Sequence, residues 1–331
     1  MSSPHAFVIN LASATDRWAA VRSQLRRERV PFTRVEGVVG KHHRSDARVS
    51  PWCSVACTDG VVGCALSHIE AWKAVLRSGA PVSLVMEDDV VLTRGFVPKL
   101  QECMAELDAR VGHHEWDVLL AGCFGMCEHD GRSTNPVITA LAPALRMITG
   151  NEACVRSPKV FAPEFFWGMH CYAITRRGAR NLLKHLSKVW YHVDFQVSTL
   201  PLRVYACNPK LAHQNGFSAS FISTSSAPVA LATVLSRFQD ADQVPYDYYM
   251  AVPLMRHVNA WVVVFAAAGV AAALHAFRRR NGKAWALAAL AAVLLPDLVV
   301  ATRRPSHAVS TGLLAGAFLG AAAVTTKIAG R

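Results

Sequence analysis

No Asn in this chain is followed at the second position by Ser or Thr, so the sequence offers no acceptor for N-glycosylation. The opening MSSPHAFVINL has no basic start, apolar core or small-residue cleavage site, and the expectation is a chain without a secretory signal. Acidic residues nearly vanish towards the end: from Arg256 onward there are nine basic residues and a single acid, Asp297. That leaves 26 basic against 22 acidic residues before it, so most of the net +12 is charge flanking apolar sequence. Charge so placed sets membrane topology and meets anionic lipid, which argues for a membrane-lipid partner and against nucleic acid. Charge is also almost absent inside three apolar runs, 258-277, 284-301 and 308-328. Each approaches the roughly 20 residues needed to span a bilayer, buried core helices being the alternative. The middle run is short and carries Pro296 and Asp297, so it either re-enters the bilayer or packs on the other two. Nine cysteines, an odd and scattered set, give no compact disulfide framework. Cys53, Cys57, Cys64 and His68 match no common zinc spacing.

The chain is organised around PVSLVMEDDVVL, Pro81 to Leu92. Its apolar run has the length of a strand buried on both faces, and Glu87, Asp88 and Asp89 follow at once. Carboxylates crowded there repel one another and resist desolvation, which calls for a positive partner. A divalent cation, magnesium or manganese holding a diphosphate at the strand's carboxyl end, is the simplest; a solvated, helix-capping turn is the alternative. Alternation along a strand points Glu87 and Asp89 the same way. Asp89 is therefore the expected direct ligand, and Glu87 meets the metal's waters or a donor ribose.

In chain order, Ala6 to Leu11 reads as a strand, with Thr15 or Asp16 placed to cap a helix from Arg17 to Glu28. Arg17 is either a surface charge or a contact for a nucleotide. Phe32 to Val39 reads as a second strand, Lys41 to Asp59 as a long loop, and Gly60 to Gly79 as a helix burying Val62, Leu66, Ile69, Trp72 and Leu76. Gly63 leaves that helix open to close backbone approach. Trp116 to Ala121 is a further buried strand, and Cys123 to Asn135 a loop able to line a donor site. Trp167 to Thr175 reads as one strand feeding a helix from Arg177 to Leu186. Beyond Ser223 the composition shifts to a linker with a short helix from Pro228 to Phe238.

The ordered set of motifs, INL with the helix start Asp16-Arg17-Trp18, Arg34-Val35-Glu36 before a glycine, Gly63-Cys64, Leu66-Ser67-His68, Ala71-Trp72, and Glu87 to Val90, resembles glycosyltransferase family 25. The likeness continues more weakly through WDVLLAG, Gly168 to Leu183, Val193 to Gln196 and Lys210 to Ile222. It covers about the first 225 residues. It implies an α/β, GT-A-like nucleotide-sugar-binding domain with a Rossmann-like mixed sheet over 1-225. A linker and membrane-interface segment over 226-257 and a helical membrane region over 258-331 complete the expected layout.

The resemblance further implies inverting transfer of galactose or glucose from a UDP-sugar to a hydroxyl on a glycan, lipid-linked or protein acceptor, with Mn2+ or Mg2+. Donor contacts then fall to Asn10, Arg17, Glu36, Ser67, His68, Glu87, Asp88, Gly168 and His170, and metal contacts to Asp89, Glu87 and His213, structural roles for the three histidines being the alternative. Asp194, a lone acid amid apolar and aromatic residues in HVDFQ, is the candidate base for the acceptor hydroxyl, a capping role being its alternative. The family usually has an acid before the glycine that ends the second strand; here Val39 stands there. That substitution favours an inactive carbohydrate- or partner-binding membrane protein as the alternative function. Charge bias puts the N-terminal domain outside the cytosol, but a domain completed before the first span emerges is expected to stay cytosol-facing.

Overall fold

The computed structural model describes residues 3–130 and 157–215, together with Arg237 and the backbone of 253–255 and 258–259. The chain divides into two compact units, Met1–Gly216 and Phe217–Arg331. The first opens with β1 (Ala6–Asn10), α1 (Thr15–Arg27), β2 (Phe32–Glu36), a 3-10 turn at Gly40–His42, α2 (Pro51–Ala56) and α3 (Asp59–Ser78). β3 (Val82–Glu87), β4 (Val90–Leu92), α4 (Phe96–Val111), β5 (Val118–Leu120) and β6 (Phe124–Met126) come next. It closes with β7 (Val160–Phe161), β8 (Phe165–Trp167), β9 (Cys171–Thr175), α5 (Arg176–His185), α6 (Val193–Ser198), β10 (Val204–Cys207) and β11 (Ala212–Gln214).

Seven strands form one mixed sheet in the order β2-β1-β3-β9-β5-β10-β7. β1 runs parallel to β2 and β3, and β10 parallel to β5, whereas β9 lies antiparallel between β3 and β5. A Rossmann-like α/β arrangement results. β3 lies inside the sheet because four of the five residues of VSLVM are apolar, and all five are buried. Val8, Leu84 and Met86 pack with Val21 and Leu25 of α1 and Phe96 and Leu100 of α4. α3 and α5 pack against each other, and the Trp72 indole N–H on α3 donates to the Tyr172 hydroxyl on β9 at 2.7 Å.

Several elements depart from the sequence reading for local reasons. α1 begins at Thr15 behind Ala14, and no side chain caps it; Asn10 Nδ2 donates instead to the Ala14 carbonyl. Thr15 and Asp16 lie inside the first turn. The expected loop at 41–59 contains the 3-10 turn and α2, started by Pro51 and capped by Ser50 Oγ on the Cys53 N–H. Arg44 holds this segment through the carbonyls of Ser54 and Cys57 and the carboxylate of Asp59. The single strand expected at 167–175 is two, because Gly168 turns at φ +79°; β8 pairs with β6 and β9 enters the main sheet. β6 also occupies part of the loop expected from Cys123.

The cysteines pair locally, Cys53 with Cys57 and Cys123 with Cys127. Counting cysteines over the whole chain missed both local pairs, of which Cys53 and Cys57 meet across one turn of α2 while Cys123 and Cys127 flank the short strand β6. Pairing of Cys53 and Cys57 also dissolves the four-residue zinc set containing them.

In the second unit β12 (Pro253–Met255) pairs antiparallel with β13 (Val258–Asn259). The first apolar run therefore starts in a strand rather than a helix. Among the described residues no helix is long and apolar enough to cross a membrane. The rest of the three runs, the helix expected at Pro228 to Phe238 and the domain limits at 225 and 257 lie outside the described residues.

Candidate active site

The parallel strands end at one edge of the sheet, where β1 delivers Asn10, β2 Glu36 and β3 Glu87. β9 runs the other way, so its entrance comes to the same edge and brings Gly168 and His170. The Glu87 backbone N–H donates to the His170 carbonyl at 2.9 Å, joining an exit to an entrance. Gly122, just past β5, closes the group: a Cβ there would collide with His170 Nε2 and the Ala212 carbonyl.

The three carboxylates have different partners. Glu87 accepts from His68 Nε2 on α3 at 3.2 Å. Burial by itself raises the pKa of Glu87, but the hydrogen bond from His68 and the neighbouring His170 and Arg17 outweigh it and hold it below the usual value. Asp88 accepts from Asn10 Nδ2 at 2.6 Å and pairs closely with Arg17. Burial nevertheless pushes Asp88 upward. Asp89 pairs with Arg17 at 2.9 Å and accepts from Gln214 Nε2 at 3.0 Å. Burial, then the charge of Glu87, pushes its pKa up to about 7.

Arg17 is thus the positive group that the carboxylate cluster demanded. Among the described residues, one guanidinium pairs with two of the three carboxylates, which leaves an excess of negative charge. The other oxygen of Asp89, Oδ1, is buried with no hydrogen-bond partner among the described residues, as are Asn10 Oδ1 and His170 Nδ1. A buried, partnerless carboxylate oxygen fits a hard cation, because Mg2+-like ions take one or two protein carboxylates and fill their shell from water and phosphate. The expected trio of Glu87, Asp89 and His213 does not come together as a ligand set: His213 is exposed opposite Val91, and its neighbour Gln214 reaches Asp89.

Ser67 holds the chain rather than facing the edge. Its hydroxyl donates to the Gly63 carbonyl at 2.7 Å and accepts the Val38 N–H at 2.8 Å, pinning the exit of β2 onto α3. The close approach expected at Gly63 is made by the Val38 carbonyl, which a Cβ there would strike. Glu36 is exposed at the end of β2, and Val39 is 46% exposed.

His170 is fully enclosed, with Phe124 stacked on its ring at 5.2 Å. Burial lowers its pKa from 6.5 to about 4. Since the folded value lies below the unfolded one, this contribution to stability is complete above pH 6.5 and disappears as pH falls through 4. The gap corresponds to about 3 kcal/mol. Denaturant unfolding against pH should show this loss in the natural chain and a shallower acid slope in His170→Gln; identical slopes would remove His170 as the cause.

Asp194 lies in the first turn of α6, next to Phe195, whose ring contacts Trp167 and Tyr191. Its Oδ2 accepts the Gly168 N–H at 2.9 Å and its Oδ1 the Phe195 N–H at 2.8 Å. The half-buried Cys64 thiol is pushed well up by burial and then by Glu87, Asp194 and Asp89, so these carboxylates all bear on one point. Sequence reasoning missed Gln214, Tyr172 and Phe124. Gln214 stands in the KLAHQNG stretch, one residue from the histidine expected as a ligand.

Residues 3–197 match the family description "Glycosyltransferase family 25 (LPS biosynthesis protein)". Among curated relatives, procollagen galactosyltransferase 1-B of Xenopus laevis is 26% identical over 194 residues, 55% of this chain and 28% of its own length. Human inactive glycosyltransferase 25 family member 3 is 30% identical over 188 residues, 54% of this chain and 28% of its own. Procollagen galactosyltransferase 2 of Mus musculus is 29% identical over 127 residues, 35% of this chain and 20% of its own. The chain spans less than a third of the length of these relatives.

Proposed function

Because this chain belongs to glycosyltransferase family 25, we propose that its GT-A-like domain moves a hexose, galactose or glucose, from a UDP-sugar to a hydroxyl of a glycan, glycolipid or hydroxylysine-type acceptor, with inversion. The observation that carries this reading is the buried, partnerless Asp89 Oδ1 at the carboxyl edge of the sheet. Sheets of this class take their ligands beyond that edge. Mn2+ or Mg2+ bound there would neutralise the charge that grows on the departing diphosphate.

The chain's own groups divide the remaining work. Arg17 spans Asp88 and Asp89 and keeps the two carboxylates from driving each other apart. Asn10 fixes Asp88, and Gln214 and Arg17 fix Asp89 Oδ2, which leaves Oδ1 buried and without a partner among the described residues. His68 holds Glu87, which would meet the donor's ribose or the waters of a bound metal. Asp194, held by the Gly168 N–H, takes the proton of the acceptor hydroxyl as its oxygen bonds to the anomeric carbon. The bond from that carbon to the diphosphate breaks on the opposite side, and UDP leaves with the electron pair.

The second reading, a binding protein without turnover, is favoured by Val39, exposed where the family usually carries an acid. The runs 284-301 and 308-328, together with the part of the first run beyond Asn259, would anchor either protein, its N-terminal unit facing the cytosol. One assay separates these readings: UDP-sugars are screened for slow, metal-dependent hydrolysis in sealed vesicles with the cytosolic face outward. The transferase hydrolyses one of them without acceptor and loses this on protease treatment of intact vesicles. UDP binding without hydrolysis supports the inactive reading, and protease resistance until detergent is added refutes the orientation.

A further inference from the structure

One group of side chains at the sheet edge is unlike the rest. Cys64 Sγ and a ring nitrogen of His68 come from adjacent turns of α3, and a Glu87 carboxylate oxygen comes from the end of β3. All three atoms lie within 4.8 Å of one another. We infer that Cys64, His68 and Glu87 form a zinc site, distinct in chemistry from the hard-cation position at Asp89.

The ligand set selects the ion. A thiol, an imidazole and a carboxylate suit borderline-soft Zn2+, whereas Mg2+ and Mn2+ favour oxygen alone. The geometry is close to what zinc requires. With Zn–N and Zn–O bonds of about 2.0–2.1 Å, two ligands of a tetrahedron stand about 3.3 Å apart. His68 Nε2 and Glu87 Oε1 are already 3.2 Å apart, so zinc can replace the proton that now bridges them.

The surroundings of His68 complete the arrangement. Metal-bound histidines need a partner for the second ring nitrogen, which fixes the ring's orientation. His68 Nδ1 lies 3.0 Å from the Tyr172 hydroxyl, and Trp72 Nε1 holds that hydroxyl from the other side at 2.7 Å. An ionised Glu87 can only accept, so the imidazole proton is on Nε2 before metal binds. On binding it moves to Nδ1, where the Tyr172 oxygen accepts it, and the Cys64 thiol releases its proton to solvent. The Glu87 carboxylate beside that thiol supplies the negative charge that favours a dication. Cys64 is only half-buried, which leaves the fourth position to water.

The site is read out by metal alone, independently of glycosyl transfer. The full chain, in a buffer that leaves its disulfides intact, is titrated with Co2+ and then Zn2+. A thiolate-to-cobalt charge-transfer band in the near ultraviolet, bleached by Zn2+, is expected; the Asp108–His113–His114 group has no sulfur and cannot give it. Cys64→Ser should abolish the band and weaken Zn2+ at least about a hundredfold. X-ray absorption on the zinc-loaded natural chain needs no variant and should show one sulfur at about 2.3 Å with nitrogen and oxygen neighbours. A band that survives in Cys64→Ser, or a zinc shell without sulfur, overturns the site. UDP binding to the zinc-loaded chain adds a separate arm that rests on the transferase reading. Zinc bound as expected with UDP binding unaffected supports the site and removes Glu87 from the donor's contacts.

Discussion

Asp89→Asn is expected to abolish Mn2+-dependent UDP binding and to lower turnover by at least about a hundredfold, the scale on which removing a charge-stabilising group acts. The substitution keeps the shape of the side chain and an oxygen for Gln214, but removes the charge that a cation needs. Arg17 retains Asp88 as its partner, and one carboxylate fewer beside Glu87 relieves repulsion. The variant should therefore unfold at or above the natural temperature, so lost activity cannot be ascribed to a lost fold. The pH dependence comes from the same group. With a pKa of about 7, a proton competes with the cation at Asp89, and Mn2+ affinity in the natural chain should rise with pH through that value and level off above it. Turnover at the natural rate with unchanged metal dependence would sink the assignment, and calorimetric titration with Mn2+ and UDP checks the binding half.

Asp194→Asn should produce the opposite division. UDP affinity stays within about twofold of the natural value, while transfer falls by roughly 10²–10⁴, the range ascribed to a general base. Asparagine's carbonyl oxygen can still accept the Gly168 N–H, so the entrance to β9 is preserved, and what is lost is proton acceptance together with the acceptor for the Phe195 N–H. Single-turnover transfer measured beside equilibrium UDP binding tests this, and weakened UDP binding would move Asp194 to the donor side.

The sequence was most legible where one local pattern sufficed. α3 runs from Asp59 to Ser78, within a residue of its expected limits, because Thr58 caps its start and Gly79 ends it in a left-handed turn. β3 matched for a similar reason, an apolar run with charge at its end. Legibility failed where pairing is distant. β6 and β8 are three residues each and recognise one another across nearly forty positions, which no local window reveals.

The site divided along the same line. Strand ends placed Asn10, Glu87 and His170 at one edge, but nothing near Arg17 showed that it would neutralise acids some seventy residues on. The choice between His213 and Gln214 was a matter of register. One residue's slip on a strand exchanges its faces, and only the pairing of Gln214 with Val90 decides which side chain meets Asp89.

The reversed strand β9 carries a mechanical implication. Gly168 grips the proposed base through its N–H, and two residues later the His170 carbonyl grips the backbone of the donor carboxylate Glu87. Three residues of main chain thus act as a ruler between the proposed proton acceptor and the strand-end carboxylate Glu87. A ruler made of peptide units does not stretch, so the spacing of Asp194 and Glu87 is set at folding. Lengthening it by a single inserted glycine would throw the two halves of the reaction out of step while leaving each half able to hold its own ligand.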